Sequence, residues 1–381
     1  MLTRRNLLAS AIAGATSSIP VMGFAAKTPI PNLDLPALGL TLPVTGVQAE
    51  IARDLLDGYE LAALASGGAF RVVALDDSSK PETTASNISA LANDPRVLAV
   101  SGIVGTPHAK AALPVAVQSG LPVIGIRSGA ESLRQGQEGV FHLRSSYEAE
   151  LRRMASMFSG QGIRRVQVLY SNDAFGKESL ATLTQSLDGL GIATPDPLAV
   201  ERNGENLPAV VKTAADLCKT NDRIPTAIVL LLISAPCVSA AQALRSEHKV
   251  ILPIYAMSHV VNRALATKPM PALAGFGVML AFPLPRVSRD RVASKFRDAV
   301  AKADKPELRE SLTAFEGFFY GSVFGQALKD AGNNPTRQSI VARMRAGVQV
   351  EDLLIRPNEN NVGFHHVGIA YKELHTGFLR A

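Results

Sequence analysis

Short apolar runs alternate with stretches of helical period along most of the chain. "LPALGLTLP" (35–43) reads as a strand, followed by a helix from about Glu50 to Ser66. "AFRVVALDD" then reads as a strand, "KPETTASNISALAND" as a helix, "VLAVSGIVG" as a strand, "HAKAALPVAVQSG" as a helix and "LPVIGI" as a strand. From Tyr147 the plan repeats. The helix "YEAELRRMASMFSGQG" leads to the strand "RRVQVLYSN" and the helices "GKESLATLTQSLDGLG" and "ENLPAVVKTAADLCKTN". The strand "TAIVLLLIS", the helix "VSAAQALRSE" and the strand "LPIYAMS" follow. Apolar runs of this length, separated by helices, are the strands of parallel sheets buried on both faces. Two such series predict an α/β chain of two doubly wound lobes, lobe 1 over 33–144 plus 283–356 and lobe 2 over 145–282 plus 357–381. "GFGVMLAFPLP" and "NVGFHHVGIAYKEL" read as extended segments that can cross between the lobes. "LTAFEGFFYGSVFGQALKDAG" reads as an amphipathic helix whose aromatics belong to the core.

Open α/β sheets bind ligands beyond the carboxyl ends of their strands. That rule selects Thr45-Gly46, Gly105-Thr106, the loop "RSGAES" after Ile126, "SNDAFG" after Tyr170 and "MSHVVN" after Ala256. The second of these is the most suggestive. An apolar run stops at Gly105, Thr106 follows, and Pro107 takes the first helical position, where its missing N–H costs nothing. A helix start of this kind can hold a phosphate, a reacting substrate or a small anion. As a residue in its own right, Thr106 is expected to cap that helix.

Composition narrows the function. The 381 residues carry a formal net charge of +6, but the basic residues are scattered and Trp is absent, so the concentrated stripe with stacking aromatics of a nucleic-acid binder is missing. The segment "TRRNLLASAIAGATSSIPVMGFAA" has a positive start, an apolar middle and small residues at its end, the pattern of an export signal. We place the cut after Ala25. "TRRNLL" is similar to the twin-arginine signal, with an ordinary Sec signal as the alternative. No later apolar run is long and uncharged enough to span a bilayer, and no Cys follows the signal to take a lipid, so a soluble periplasmic protein is expected. Cys218 and Cys237 lie at opposite ends of the strand between them, roughly 25 Å apart at strand rise. That distance is far beyond disulfide reach, and both are expected to be free and buried.

No catalytic or cofactor motif is found. Gly102-Ile103-Val104-Gly105 fits neither nucleotide loop, there is no GxSxG, and the seven histidines form no HExxH and no Cys/His cluster. His365-His366 would point to opposite faces of a strand. Asp76-Asp77 are expected to cap the helix that follows. No cofactor, metal or enzymatic activity is therefore expected.

The chain resembles the leucine/isoleucine/valine-binding family of periplasmic solute receptors, which serve ABC importers. The likeness runs over the whole chain after the signal. "LTLPVTGVQAEIARDLLDGYELA" is similar to the family's Pro-x-Ser/Thr-Gly loop with a helix Gly twelve residues later, here Gly46 and Gly58. "RVVALDDSSKPETTASNISALANDPRVLAVSGIVGT", "QSGLPVIG", "LRSSYEAE", "YSNDAFGKESL" and "LTAFEGFFYGSVFGQAL" follow in the family's order. The resemblance implies a type I fold, a small-molecule ligand held by hinge closure, and an ABC permease as partner. It also implies that Thr106 binds the ligand's carboxylate. Thr45, Gly105, Ser128, Gly129 and His259 fall in the same cleft loops.

Departures from the family pattern carry the specificity. The acid that holds the ammonium group in amino-acid receptors falls on Ser258, and family tyrosines fall on Ile51, Phe175 and Ile233. Arg127 is new in its loop and can take a carboxylate as a bidentate pair; the alternatives are that it points to solvent or pairs with Glu131. An ammonium without a carboxylate partner is costly to desolvate. The expected ligand is a carboxylate with an apolar or aromatic body and no α-amino group, unless Glu131 or Asp173 replaces the lost acid and restores an amino-acid receptor. A ligand sensor of the same fold without transport is the competing reading, and an exported hydrolase or lyase the remote one.

Overall fold

The computed structural model describes residues 34–46, 48–220, 223–374 and 379–380. The expected export segment, residues 1–25, lies outside them. The first series runs β1 (Ala37–Leu42), α1 (Ala49–Ala65), β2 (Arg71–Asp76), α2 (Pro81–Ala92), β3 (Val97–Ser101), β4 (Ile103–Val104), α3 (Thr106–Gln118), β5 (Val123–Ile124), β6 (Ile126–Arg127) and β7 (Val140–Phe141). Five of these strands form a sheet in the order β2-β1-β3-β5-β7, parallel throughout. β1 is buried along its whole length, which is why its sequence shows no polar alternation.

The runs 97–105 and 121–126, each read as one strand, are broken. Gly102 and Gly125 adopt φ of +72° and +79°, and β4 and β6 beyond them pair only with each other. A β-carbon at Gly102 would lie 3.0 Å from the Tyr59 hydroxyl, and one at Gly125 2.6 Å from the Tyr320 ring. Glycine is required there by both space and backbone conformation. The break leads directly into Gly105 on one strand and Arg127 on the other.

The second series is α4 (Tyr147–Gly160), β8 (Arg165–Ser171), α5 (Ala174–Asp188), β9 (Leu198–Val200), α6 (Leu207–Thr220), β10 (Thr226–Leu231), α7 (Ser234–Ser246), β11 (Ile254–Ala256), α8 (Arg263–Thr267) and β12 (Gly277–Leu280). The chain continues through α9 (Arg291–Lys302), α10 (Leu312–Asp330), α11 (Arg337–Ala346), β13 (Val348–Val350), β14 (Leu353–Ile355), β15 (Gly368–Lys372) and β16 (Leu379–Arg380). The second sheet has the order β16-β15-β12-β11-β10-β8-β9. Only β15 runs against the others, so its pairings with β12 and with β16 are antiparallel.

α9, α10 and β13 share one apolar core with α1 and the first sheet. α10 is buried almost all round from Leu312 to Leu328, rather than on one face as its pattern suggested. It lies against α1 on one side and meets Phe282 on another, with Phe282–Phe315 and Phe282–Phe319 ring centroids 6.1 and 5.7 Å apart. A helix apolar on every side belongs in such a position. The segments read as crossings pass between the sheets. Phe282 joins the first core directly after β12 of the second sheet. Phe364 stacks on Phe282 at 5.3 Å just before β15. Cys218 and Cys237 are buried free thiols in α6 and α7. No helix among the described residues is long and apolar enough to cross a membrane.

Candidate functional site

Loops at the carboxyl ends of both sheets enclose a cavity of about 20 Å³ lined by Gln48, Val104, Gly105, Thr106, Arg127, Tyr147, Phe175, Arg202, Ile233 and His259. That is room for about one water molecule. Six expected site residues are in this lining: Gly105, Thr106, Arg127, Phe175, Ile233 and His259. Larger hollows lie elsewhere, such as one of about 490 Å³ bordered by α1, α10 and Lys295, but it is not among the loops at the carboxyl ends of the two sheets, where this topology gathers convergent polar groups.

The other four expected residues have different places. Thr45 is exposed; its hydroxyl donates to Asp76 Oδ2 at 2.7 Å, and Gln48, three residues on, is the member of this loop that reaches the cavity. Ser128 shares a 2.9 Å hydrogen bond with the Thr106 hydroxyl and so stands one step behind it. The Gly129 carbonyl accepts from the Tyr147 N–H at 2.7 Å, and a β-carbon there would lie 2.7 Å from that nitrogen, so Gly129 seats Tyr147. Ser258 is buried in a polar network beside the cavity. Ile51, matched to a family tyrosine, belongs to the apolar core.

Two helix starts differ from expectation. Thr106 is the first residue of α3 and Gly105 is its cap, so the Thr106 hydroxyl is released from capping and bonds Ser128 instead. Lys80, not an aspartate, is the cap of α2. The aspartates organise the turn before it. Against a burial penalty, hydrogen bonds from Thr45 and Ser78 hold Asp76 down to about 2. Burial pushes Asp77 up to about 6 despite bonds from Ser79 and Thr84.

Arg127 neither reaches solvent nor pairs with Glu131. It is 3% exposed and donates through Nε to Glu316 Oε2 at 3.1 Å, through Nη1 to the His259 carbonyl at 3.2 Å and through Nη2 to Thr313 Oγ1 at 3.3 Å. Glu316 projects from the second turn of α10. Its Oε1 accepts from Arg144 Nη1 at 3.0 Å and from the Tyr320 hydroxyl at 2.7 Å. Arg144 Nη2 in turn donates to Ser258 Oγ at 2.5 Å. Glu150 accepts from both the backbone N–H and the hydroxyl of Ser258, at 2.9 and 2.6 Å. Two arginines and two glutamates thus form one buried network. Burial raises Glu150 above the usual carboxylate range, opposed by Arg144 and Ser258. Burial works against the charged form of Arg144, but Glu316 and its neighbours overcome it and hold the guanidinium above its ordinary value.

A second guanidinium, Arg202, lies at the start of α3. A β-carbon on Gly105 would be 3.7 Å from its Nη2. Arg202 pairs with Asp173, whose other oxygen caps α5 by accepting from Gly176 N–H at 3.0 Å. It also donates to Gln48 Oε1 at 3.5 Å. Sequence reasoning missed Arg202 because β9 is three residues long and preceded by Pro195 and Pro197, which hide the strand whose end it marks. Tyr147 opens the first crossing into the second lobe and could have been found from its place in "LRSSYEAE".

His259 completes the wall. Its ring meets Phe175 at 4.5 Å and Tyr147 at 5.8 Å, edge to face in both cases. Burial, assisted by the nearby arginines, pushes its pKa down to about 3, so the imidazole is neutral. The lining therefore offers two arginines, a threonine hydroxyl, a neutral imidazole and apolar rings, and it contains no carboxylate. Glu131 is exposed and Asp173 is turned to Arg202, and neither is in the lining.

Solved structures share this architecture. A substrate-binding periplasmic protein from Ralstonia solanacearum is 24% identical, with a TM-score of 0.80 over 91% of this chain and 100% of its own. An ABC transporter substrate-binding protein from Desulfitobacterium hafniense in complex with Leu is 17% identical, with a TM-score of 0.73 over 90% of this chain and 98% of its own. A solute-binding protein of an ABC transporter from R. palustris in complex with benzoate is 16% identical, with a TM-score of 0.78 over 91% and 95%. A comparison with curated proteins finds no match. The periplasmic binding protein model matches residues 37–367, nearly the whole of both lobes, and the chain belongs to that family.

Proposed function

We propose that this chain is the extracytoplasmic receptor of an ABC importer, exported to the periplasm, and that its ligand is a small carboxylate with an apolar or aromatic body and no α-amino group. The observation that carries this reading is the donor character of the cavity wall: the Arg127 and Arg202 guanidiniums line it, while Glu316 and Asp173, which pair with them, do not. The carboxylate would lie at the start of α3, on Thr106 with Arg202 beside it, where the helix dipole also favours negative charge. The body would lie among Phe175, Tyr147 and Ile233. That a neighbour of the same fold is complexed with benzoate agrees with such a ligand.

A cavity of about 20 Å³ is far below the several hundred Å³ of an ordinary ligand pocket. We therefore infer that the lobes part to admit ligand and close over it, with residues 33–144 plus 283–356 as one body and 145–282 plus 357–381 as the other. Closed lobes would dock on a membrane permease.

Thermal unfolding of the purified protein tests the ligand class. Benzoate and 4-methylpentanoate form one set, leucine and phenylalanine the other. A ligand at a hundred times its Kd adds about 2.7 kcal/mol to stability, a plain rise in melting temperature. We expect the rise from the acids alone. A rise from leucine alone would overturn the reading and turn attention to Glu150, the acid bonded to Ser258.

A further inference from the structure

The cavity wall is rich in hydrogen-bond donors and holds one buried acceptor with nothing to accept. His259 Nε2 lies 2.9 Å from the Leu232 carbonyl. A carbonyl can only accept, so Nε2 carries the proton, and in the neutral ring Nδ1 keeps its lone pair. Nδ1 is buried and has no partner among the described residues, although His259 is only 7% exposed and lines the cavity. The ring cannot easily turn to find one. Phe175 and Tyr147 pack edge to face on it, and the backbone carbonyl of His259 is itself held by Arg127. Buried polar groups of native proteins are satisfied with few exceptions, and an exception at a binding wall calls for a partner from outside the chain.

We propose that His259 Nδ1 accepts a hydrogen bond from the ligand, and that the ligand is therefore a carboxylic acid bearing a hydroxyl or ring N–H donor as well as its apolar body. This rests on the acid reading given above and sharpens it. Arg202 and Thr106 take the anion, the rings and Ile233 take the body, and His259 discriminates by the donor. Because Leu232 fixes the proton on Nε2, Nδ1 cannot donate to a ligand, and an ether or second carboxylate facing it would leave two acceptors in contact. Sites that hydrogen-bond a substrate hydroxyl reject analogues lacking it more strongly than apolar pockets reject a missing methylene.

Calorimetric titration tests this with matched probes. The 2-, 3- and 4-hydroxybenzoates are compared with their methyl ethers and with benzoate, and 2-hydroxy-4-methylpentanoate with 4-methylpentanoate. At least one hydroxy acid should bind roughly tenfold to a hundredfold more tightly than its donorless partner, the range expected for leaving a buried acceptor unpaired. His259→Phe should abolish that preference, hydroxy acid and ether binding alike whatever the variant's absolute affinity. If this variant does not fold, the comparison of hydroxy acids and ethers on the native protein decides alone. Equal affinity for hydroxy acids and their ethers, or a preference that survives in His259→Phe, overturns the proposal. A failure of every acid in the set to bind overturns the acid reading and this inference with it. A separate arm addresses the imidazole directly. Nitrogen NMR of histidine-labelled protein without ligand should find His259 protonated at Nε2 and bare at Nδ1, and a proton on Nδ1 overturns the acceptor role whatever binds.

Discussion

At the scale of residues the molecule turns on Glu316. It is the polar exception in a helix segment of Phe, Tyr and small residues, and it holds two buried guanidiniums, Arg127 and Arg144, at 3.1 and 3.0 Å. Breaking one partner of a buried ion pair leaves an uncompensated charge and costs about 3–5 kcal/mol. We expect Glu316→Gln to lose at least that much in urea unfolding, because two cations lose one counter-ion, and to loosen Arg127 at the cavity wall. A loss under 1 kcal/mol would mean that the arginines are solvated and the network has little weight. Sequence alone exposed Arg127 as a departure at a strand end but could not find its partner. The two are 189 residues apart, and in its local pattern Glu316 reads as one polar position in a core helix. The same reason hid Glu150 behind Ser258. Alignment of motifs locates loops, whereas the partners of buried charges come from whichever helix lies behind them.

Among the described elements, α1 and α10 make the most extensive contact, and glycines make it possible. A β-carbon on Gly58 would fall 2.0 Å from the Ala314 carbonyl oxygen, and one on Gly317 2.5 Å from the Leu55 carbonyl oxygen. Each helix supplies the gap into which the other's backbone fits. Gly58→Ala should therefore destabilise the protein by about 2 kcal/mol, since overpacking against backbone belongs at the upper end of the usual cost of about 1–3 kcal/mol and alanine's better helix propensity returns about 1 kcal/mol at most. Gly160→Ala is the control: it ends α4, with nothing within 4 Å of an added β-carbon, and should be neutral or slightly stabilising. Equal melting temperatures for the two variants would contradict the close approach. Gly58 was visible in the sequence as a glycine inside a helix, and most strands were visible as apolar runs. β9 is too short to form a run, and the breaks at Gly102 and Gly125 fall where rings of distant helices, Tyr59 and Tyr320, demand space.

For the whole molecule the question is what holds the two lobes against each other. Across the cleft mouth, Glu178 of α5 pairs with Lys110 of α3 and accepts from the Ser132 hydroxyl at 2.8 Å. Farther along, Asn262 donates to Glu50 at 2.9 Å and Arg202 to Gln48 at 3.5 Å. Inside, Arg127 donates to the His259 carbonyl and Thr313 to the Val261 carbonyl, the latter at 2.9 Å. If these bonds belong to the closed form alone, each adds to ligand affinity by disfavouring the open form, even where it never touches ligand. Lys110 and Glu178 are 43% and 31% exposed, so their pair is worth about 0.2–1 kcal/mol. Glu178→Gln should then raise the Kd of a bound acid by up to about fivefold at low salt. The effect should fade as salt rises, because the screening length falls from about 30 Å at 0.01 M to about 3 Å at 1 M. On the closure proposed above the latch forms only after the ligand is enclosed, so the loss should appear in the off-rate. Calorimetry at two salt concentrations, with stopped-flow dissociation, reads both. Small-angle scattering supplies the structural half: ligand should shrink the radius of gyration of native protein and shrink it less in the variant at the same concentration. A Kd indifferent to Glu178 at low salt, together with a radius unchanged by ligand, would mean that the lobes do not part and that ligand enters by another path.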